Sequence, residues 1–483
     1  MPLIADWGFV GSTYAGQSPA VNVERCVNMY PEVTVATGAR SKRKVVYYPT
    51  PGLLTWSSAG LGPLRGEFYQ DGNYYVASGG ELYSVSAAGV ATKLGDIAQD
   101  PNPVQFSTNG AAGDQLFVVS AGLGYIVTIS TGAFVQITDA DFPAVAVMGD
   151  FSDGYFLALK FNSIQFNFSA LENGLSWPTA SFANKSQSSD NILSLLVDHK
   201  EVWLFGSKTT EIWYNTGDPT NPFAPIQGVL IEHGILAPRS AVKVNNTICW
   251  LGQDSDGSGM AWYANGYTPE RFSTHGVEQQ WQSYGVTLAD AIGWAYQENG
   301  HSFYVVTFPT ANKTWAFDFA SQMWHERLFW NGSDYDAHLG RCHAYAFGKH
   351  LLGSRLDGTI YHQSLSYYDD DGSILRRMRR SPHIDADQRF VEYASAELEC
   401  QHGVGLLSGQ GEDPQAMLRW SDDDGYNWSN EYWSSIGLRG AYAFRTMWRR
   451  LGQGRNRVWE IVQTDPVPLA WTDLILNGTA MDA

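Results

Sequence analysis

Glu201-Val202-Trp203-Leu204-Phe205-Gly206, followed four residues later by Glu211-Ile212-Trp213-Tyr214, decides the fold. Both runs are rich in aromatic and aliphatic residues and are short enough to be strands. A turn-forming segment lies between them. The same unit recurs as Asp71-Gly72-Asn73-Tyr74-Tyr75-Val76 with Glu81-Leu82-Tyr83-Ser84-Val85, and as Ser302-Phe303-Tyr304-Val305-Val306 with Lys313-Thr314-Trp315-Ala316-Phe317-Asp318. A further copy ends in Asp357-Gly358-Thr359-Ile360-Tyr361.

Aligned on the turn before the first strand, the units start at Asp71, Gly113, Asp153, Lys200, Asn245, Gly300 and Gly348, at intervals of 42, 40, 47, 45, 55 and 48 residues. Such spacing is that of propeller blades, each a four-stranded antiparallel sheet. A blade alone buries one face, whereas closing a ring buries both and hides most edges. The expectation is an all-β chain with a β-propeller of about six to seven blades; an irregular array of β-sandwiches is the competing arrangement. Beyond Pro382 the spacing changes. Phe390-Val391-Glu392-Tyr393, Ala416-Met417-Leu418-Arg419-Trp420 and Arg457-Val458-Trp459-Glu460-Ile461-Val462 predict a β-sandwich-like platform domain. The division expected is 1–60 as an extended N-terminal platform segment, 61–380 as propeller and 381–483 as sandwich.

Composition agrees. Among 483 residues are 18 Trp, 25 Tyr and 23 Phe, with 49 Gly and 20 Pro scattered along the chain. This suits many strands and frequent turns and argues against disorder. Met1-Pro2-Leu3-Ile4-Ala5-Asp6 shows no basic stretch leading into an apolar one, so no secretory signal is expected, and no apolar run approaches the ~18 residues of a membrane helix. Cys26, Cys249, Cys342 and Cys400 lie far apart, which favours reduced thiols and assembly in a cytosol.

The net charge is −18 and uneven. Residues 1–374 carry 19 basic against 34 acidic side chains, whereas residues 375–483 carry 12 Arg, no Lys and 15 acids. The acidic part should repel phosphates, excluding tight wrapping of nucleic acid but not its passage. The sharpest charge feature is Arg376-Arg377-Met378-Arg379-Arg380. With Arg449 and Arg450 it forms the candidate interface, since guanidinium groups clamp carboxylates or phosphates; a solvated strand or linker is the bland alternative.

Ser421-Asp422-Asp423-Asp424-Gly425-Tyr426-Asn427-Trp428 fits the Asp-box pattern Ser-x-Asp-x-Gly-x-x-Trp. Ser421, Asp423, Gly425 and Trp428 are expected to stabilise a hairpin turn, with the carboxylate capping backbone N–H groups. The turns Asp254-Ser255-Asp256-Gly257 and Asp369-Asp370-Asp371-Gly372 offer oxygen ligands but do not continue as calcium loops. His338, Cys342, His343 and His350 lack tetrahedral zinc spacing. The chain contains no Gly-x-Ser-x-Gly, His-Glu-x-x-His or phosphate-loop signature, so no enzyme, metal or cofactor is expected.

The order of motifs resembles the tail hub, or nozzle, proteins of short-tailed bacteriophages, also called packaged DNA stabilisation proteins. The resemblance runs from Gln17-Ser18 through Val27-Asn28-Met29-Tyr30-Pro31-Glu32 and Thr50-Pro51-Gly52-Leu53. It continues through Thr210-Glu211-Ile212-Trp213-Tyr214 and Phe272-Ser273-Thr274-His275-Gly276-Val277-Glu278 to Trp448-Arg449-Arg450-Leu451-Gly452 and Thr464-Asp465-Pro466-Val467. It implies a non-enzymatic virion tail protein assembled in the host cytoplasm as a ring, a homohexamer, below the portal and its adaptor. Such a ring extends the DNA channel, retains the packaged genome and attaches a needle, spikes or fibres, with DNA passing through without sequence-specific binding. One departure is the Asp triplet 422–424, where the resemblance leads one to expect a glycine; a longer turn or a bound ion would follow. The rival from another class is a glycan-binding or sialidase-like propeller, for which pocket-lining arginines would speak.

Overall fold

Seven turns set the architecture. In six of them, Asp71-Gly72, Asp153-Gly154, His199-Lys200, Asn245-Asn246, Asn299-Gly300 and Phe347-Gly348, both central residues have positive φ. That is the two-residue hairpin turn whose twist matches that of the flanking strands. The seventh passes through a helical turn, Gly110–Gly113, to Asp114 at φ 58°. Each turn joins the first strand of a blade to its second.

The computed structural model describes residues 3–4, 8–11, 13–33, 45–253, 257–385 and 389–481; Asp254, Ser255 and Asp256 of the first acidic turn lie outside them. Five antiparallel sheets follow in sequence, starting with the strands Leu64–Gln70, Gln105–Thr108, Ala146–Ser152, Ile192–Asp198 and Val242–Val244. These are blades 1 to 5. Blade 6 spans Ile292–Glu298 to Met323–Glu326. Blade 7 takes Gly340–Ala346, Lys349–Ser354 and Thr359–Ser364 and borrows its outer strand, Gly52–Ser58, from the N-terminal region. The inner strand of blade 7 packs beside that of blade 1, so the ring closes. Seven blades result, with neighbouring sheets packed through apolar clusters such as Tyr74, Val76, Ala346 and Leu351 between blades 1 and 7.

The borrowed strand shifts the expected boundary at residue 60. Its pairing runs from Ser58 opposite Thr359 to Gly52 opposite Ser364. Gly52 sits where a Cβ would lie 2.4 Å from the Asp369 carbonyl oxygen, and no larger residue fits. Asp371 fastens the strand, accepting from the Thr55 N–H at 2.8 Å and its hydroxyl at 2.6 Å.

The remaining strands form a sandwich. One sheet contains Met29–Val33, Val45–Pro49, Trp471–Ala480, Val391–Cys400 and Thr446–Arg449. The other orders Arg25–Val27, Arg377–Arg380, Asn456–Gln463, Gln415–Ser421 and Tyr432–Ser435. Tyr47, Trp448, Trp459, Trp471, Leu474 and Leu476 fill the space between them. The boundary expected at residue 380 also moves, because Arg377–Arg380 is a strand of the sandwich. This second sheet runs on from blade 6 through the parallel pairing of Val27 with Glu326, so propeller and sandwich share ten hydrogen-bonded strands. Among the described residues no helix is long and apolar enough to cross a membrane.

Candidate functional site: the arginine strand and the sandwich surface

Arg377–Arg380 is central in its sheet, paired to Arg25–Val27 on one side and to Asn456–Gln463 on the other. Strand alternation therefore decides what each guanidinium meets. Arg377 and Arg379 point to one side and are fully buried. Arg377 donates to the carbonyls of Asp465 and Val467 at 3.1 Å and of Tyr368 at 2.7 Å, tying the last blade to the sandwich. Burial lowers its pKa to about 10. Arg379 pairs with Glu24 at 2.5 Å, donates to the Phe9 carbonyl and lies over Tyr47.

On the opposite side Arg380 reaches Glu460 at 2.8 Å, and Arg419 reaches the same carboxylate from the neighbouring strand at 2.7 Å. Burial alone would raise the Glu460 carboxyl, but the two guanidinium groups outweigh it and hold it below the usual carboxylate range. Trp428 lies 4.7 Å from both cations. Arg376 stacks on Trp330 at 4.5 Å and donates to the Tyr335 hydroxyl.

The expected external clamp is thus corrected for Arg377 and Arg379: they join propeller to sandwich inside one chain. Arg376 and Arg380 are half-buried in internal contacts. Arg449 and Arg450 are exposed at the end of Thr446–Arg449. The segment from 426 to 444 exposes Tyr426, Trp433, Leu438 and Tyr442, at 75%, 57%, 55% and 77%. The sequence reading missed this apolar surface, although the density of aromatics around Tyr432-Trp433 and Tyr442-Ala443-Phe444 was its visible signal.

At the Asp-box, Ser421 Oγ donates to Asp423 at 2.8 Å and accepts from the Gly425 N–H. Asp423 in turn accepts from the backbone and side chain of Asn427. Trp428 Nε1 donates to the Gly425 carbonyl, with Gly425 at φ 88°. The neighbouring acids have partners too. Asp422 holds Arg457 through two bonds of 2.7 and 2.8 Å, and Asp424 accepts from Asn456 at 3.1 Å. The departure at the triplet therefore serves the strand beneath.

His343 and His350 contact each other at 3.0 Å within an aromatic stack that includes Trp294 and Tyr296, and burial lowers the His343 pKa to about 3. Cys342 instead lies against Glu67. Among the described residues no three His, Cys, Asp or Glu side chains are grouped to hold a metal ion.

The motifs that carry the family resemblance serve as joints. Asn28, at φ 57°, turns the chain from one sandwich sheet to the other; its side chain donates to the Leu328 and Arg376 carbonyls and accepts from the Leu328 N–H. Fully buried Glu211 accepts three consecutive backbone N–H groups, Ser186 to Ser188. Glu278, on the helix His275–Ser283, takes the Ser273 hydroxyl and Arg271.

The chain is thus a closed seven-bladed propeller stitched to a sandwich through one sheet, with the polar motifs described above placed at its joints. The family described as bacteriophage P22 Gp10, β-propeller, matches residues 22–366, and that described as bacteriophage P22 Gp10, β-sandwich, matches residues 376–478. The chain belongs to the bacteriophage P22 Gp10 family and is a phage structural tail protein, a component of the virion. No curated protein matches the sequence. Among solved structures, virginiamycin B lyase from Staphylococcus aureus is similar at 10% identity and TM-score 0.42, over 62% of this chain and 94% of the lyase. The computationally designed Ika8 protein is similar at 10% identity and TM-score 0.37, over 64% and 99%.

Proposed function

We propose that this chain is one subunit of a ring, a homohexamer, that extends the portal channel, retains packaged DNA and attaches the distal tail components. The observation that carries the reading is the sandwich surface, which leaves Trp433, Leu438 and Tyr442 exposed on one segment and Arg449 and Arg450 exposed at a strand end, while the first 374 residues carry the acidic excess. A head-to-tail ring needs two different, complementary surfaces on each subunit. An aromatic and arginine-bearing surface meeting an acidic neighbour meets that need. Acidic walls suit a channel through which DNA slides without adhering. The portal or its adaptor on one side and needle, spike or fibre proteins on the other are the partners of this reading.

Negative-stain electron microscopy and sedimentation velocity of the full chain, alone and with portal, test it. Sixfold rings are expected, and the double variant W433A/Y442A should remain monomeric with its fold intact. A chain that stays monomeric even on portal, or a variant that forms rings as well as the parent, overturns the reading.

A further inference from the structure

At the end of the propeller axis where the chain enters its inner strands lies a cavity of about 670 Å³. Small-molecule sites fall at about 300–1,000 Å³. Its walls are shaped by a repeated device. Four of the seven inner strands shift register in their first residues, skipping Arg65, Val147, Leu193 and Arg341. A β-bulge re-aims the side chain it leaves unpaired, and Val147, Leu193 and Arg341 all line the cavity. The fourth, Arg65, is fully buried, pairs with Asp100 and donates to the Asn102 carbonyl at 2.9 Å, which fixes the loop carrying the lining residues Pro101 and Pro103.

Three guanidinium groups, Arg239, Arg341 and Arg355, share this wall with one carboxylate, Asp290. Arg239 Nη2 donates to the Val147 carbonyl at 2.6 Å, while Nη1, shielded from solvent, has no acceptor among the described residues. Arg341 Nη2 donates to the Pro101 carbonyl, and its Nε is likewise shielded and unmatched. Asp290 Oδ2 accepts the Thr310 N–H at 2.8 Å and hydroxyl at 2.6 Å; Oδ1 has no donor. Buried donors and acceptors without partners are costly. The guanidinium groups of Arg239, Arg341 and Arg355 that line the cavity offer donors to an anionic ligand group, and Asp290 on the same wall offers an acceptor to a hydroxyl. Met148, Phe161, Pro238 and Pro309 leave the rest of the wall apolar, suited to a carbon skeleton.

We propose that this axial cavity binds a small hydroxylated carboxylate, the chemistry of a sugar acid, with its carboxylate on Arg239 and Arg341 and a hydroxyl on Asp290. The site binds without cleaving. Glycoside hydrolysis uses a pair of carboxyl groups or, in sialidases, a Tyr nucleophile; among the described lining residues Asp290 is the sole carboxylate and there is no Tyr. The same chemistry could arrive as a free sugar acid or as the terminal residue of a polysaccharide.

Titration calorimetry on the full chain, with glucuronate, glucose and inorganic phosphate as probes, tests the site. Saturable binding of one glucuronate per chain is expected, with glucose and phosphate each at least about tenfold weaker. R239Q and R341Q should each weaken glucuronate binding by about tenfold or more. A289W, at the exposed mouth, should abolish binding while leaving the arginines in place, and serves if either arginine variant fails to fold. A disaccharide ending in glucuronate separates the two sources: binding as tight as the free acid or tighter indicates a chain terminus, and binding of the free acid alone indicates the monomer. No saturable glucuronate binding, equal binding of phosphate, or full binding by A289W overturns the proposal.

Discussion

Arg379 and Glu24, 355 residues apart, form an ion pair of 2.5 Å with both side chains out of solvent. The pair locks the segment before Arg25–Val27 onto the C-terminal sandwich, whose neighbouring strands are already joined by Cys26 opposite Arg379. Removing Glu24 takes the carboxylate from a fully buried guanidinium, which costs more than the pair itself contributes. E24A should therefore lose about 3 kcal/mol in urea unfolding. The double variant E24A/R379M should lose less than E24A alone. A double variant at least as unstable as the single one would contradict this account.

Asp422 makes a second such prediction. Arg457 is buried among Tyr393, Trp420 and Trp459, each within 5.2 Å, and Asp422 supplies its bidentate partner from the partly exposed Asp-box turn. D422A should cost about 2 kcal/mol. D423A, which removes turn caps but not the arginine partner, should cost about 1 kcal/mol. Reversal of that order, read from unfolding midpoints, would place the burden on the turn instead of on Arg457.

The seam of the ring offers a third. At Gly358 a Cβ would lie 2.2 Å from the Gly60 carbonyl oxygen and 2.6 Å from that of Ala59, both backbone atoms that cannot swing away. G358A should cost about 2–3 kcal/mol. The loss should be local: hydrogen exchange should accelerate at Gly52–Ser58, the strand paired to Thr359–Ser364, and leave blades 3 and 4 protected. Uniform acceleration around the ring would show that closure does not depend on this contact.

These sites divide what sequence can reveal from what it cannot. The blades were legible because each first hairpin demands positive φ, so Asp, Asn or Gly recur at every one of these turns but His199-Lys200; even Phe347, unusual at φ 53°, is followed by Gly348. Gly52–Ser58 was not legible as a blade strand, since its partner lies 300 residues away and its own pattern reads equally well as a lead-in. Arg377–Arg380 misled for a related reason. Four arginines in five residues look solvated until Glu24, Glu460 and the Val467 carbonyl, all distant in sequence, are placed around them. The Asp-box turn could be read locally because its bonds run between residues no more than four apart. The axial cavity depends on bulges at Arg341 and Val147, and a one-residue register shift leaves no mark in composition.

Glu67 supplies the pH dependence. It sits in the first strand of blade 1 beside Tyr74 and Cys342, at the seam with blade 7, and both carboxylate oxygens are shielded from solvent. Burial pushes its pKa up from 4.5 to about 8, against the opposing effect of those neighbours. The folded chain thus holds the proton more tightly than the unfolded chain, so stability intact below about pH 4.5 declines as pH rises towards about 8. Asp370, raised by burial to about 7, adds a slope of the same sign, so the wild-type profile alone does not isolate Glu67. The difference between E67Q and wild type does. Glutamine keeps the shape and cannot ionise, so E67Q should lie within about 1 kcal/mol of wild type at pH 5 and exceed it by about 4 kcal/mol at pH 8. Unfolding midpoints in urea at pH 5, 6, 7 and 8 provide the comparison. A constant offset at all four values would mean that the Glu67 carboxyl does not titrate between them, and that its place at the seam is a matter of packing alone.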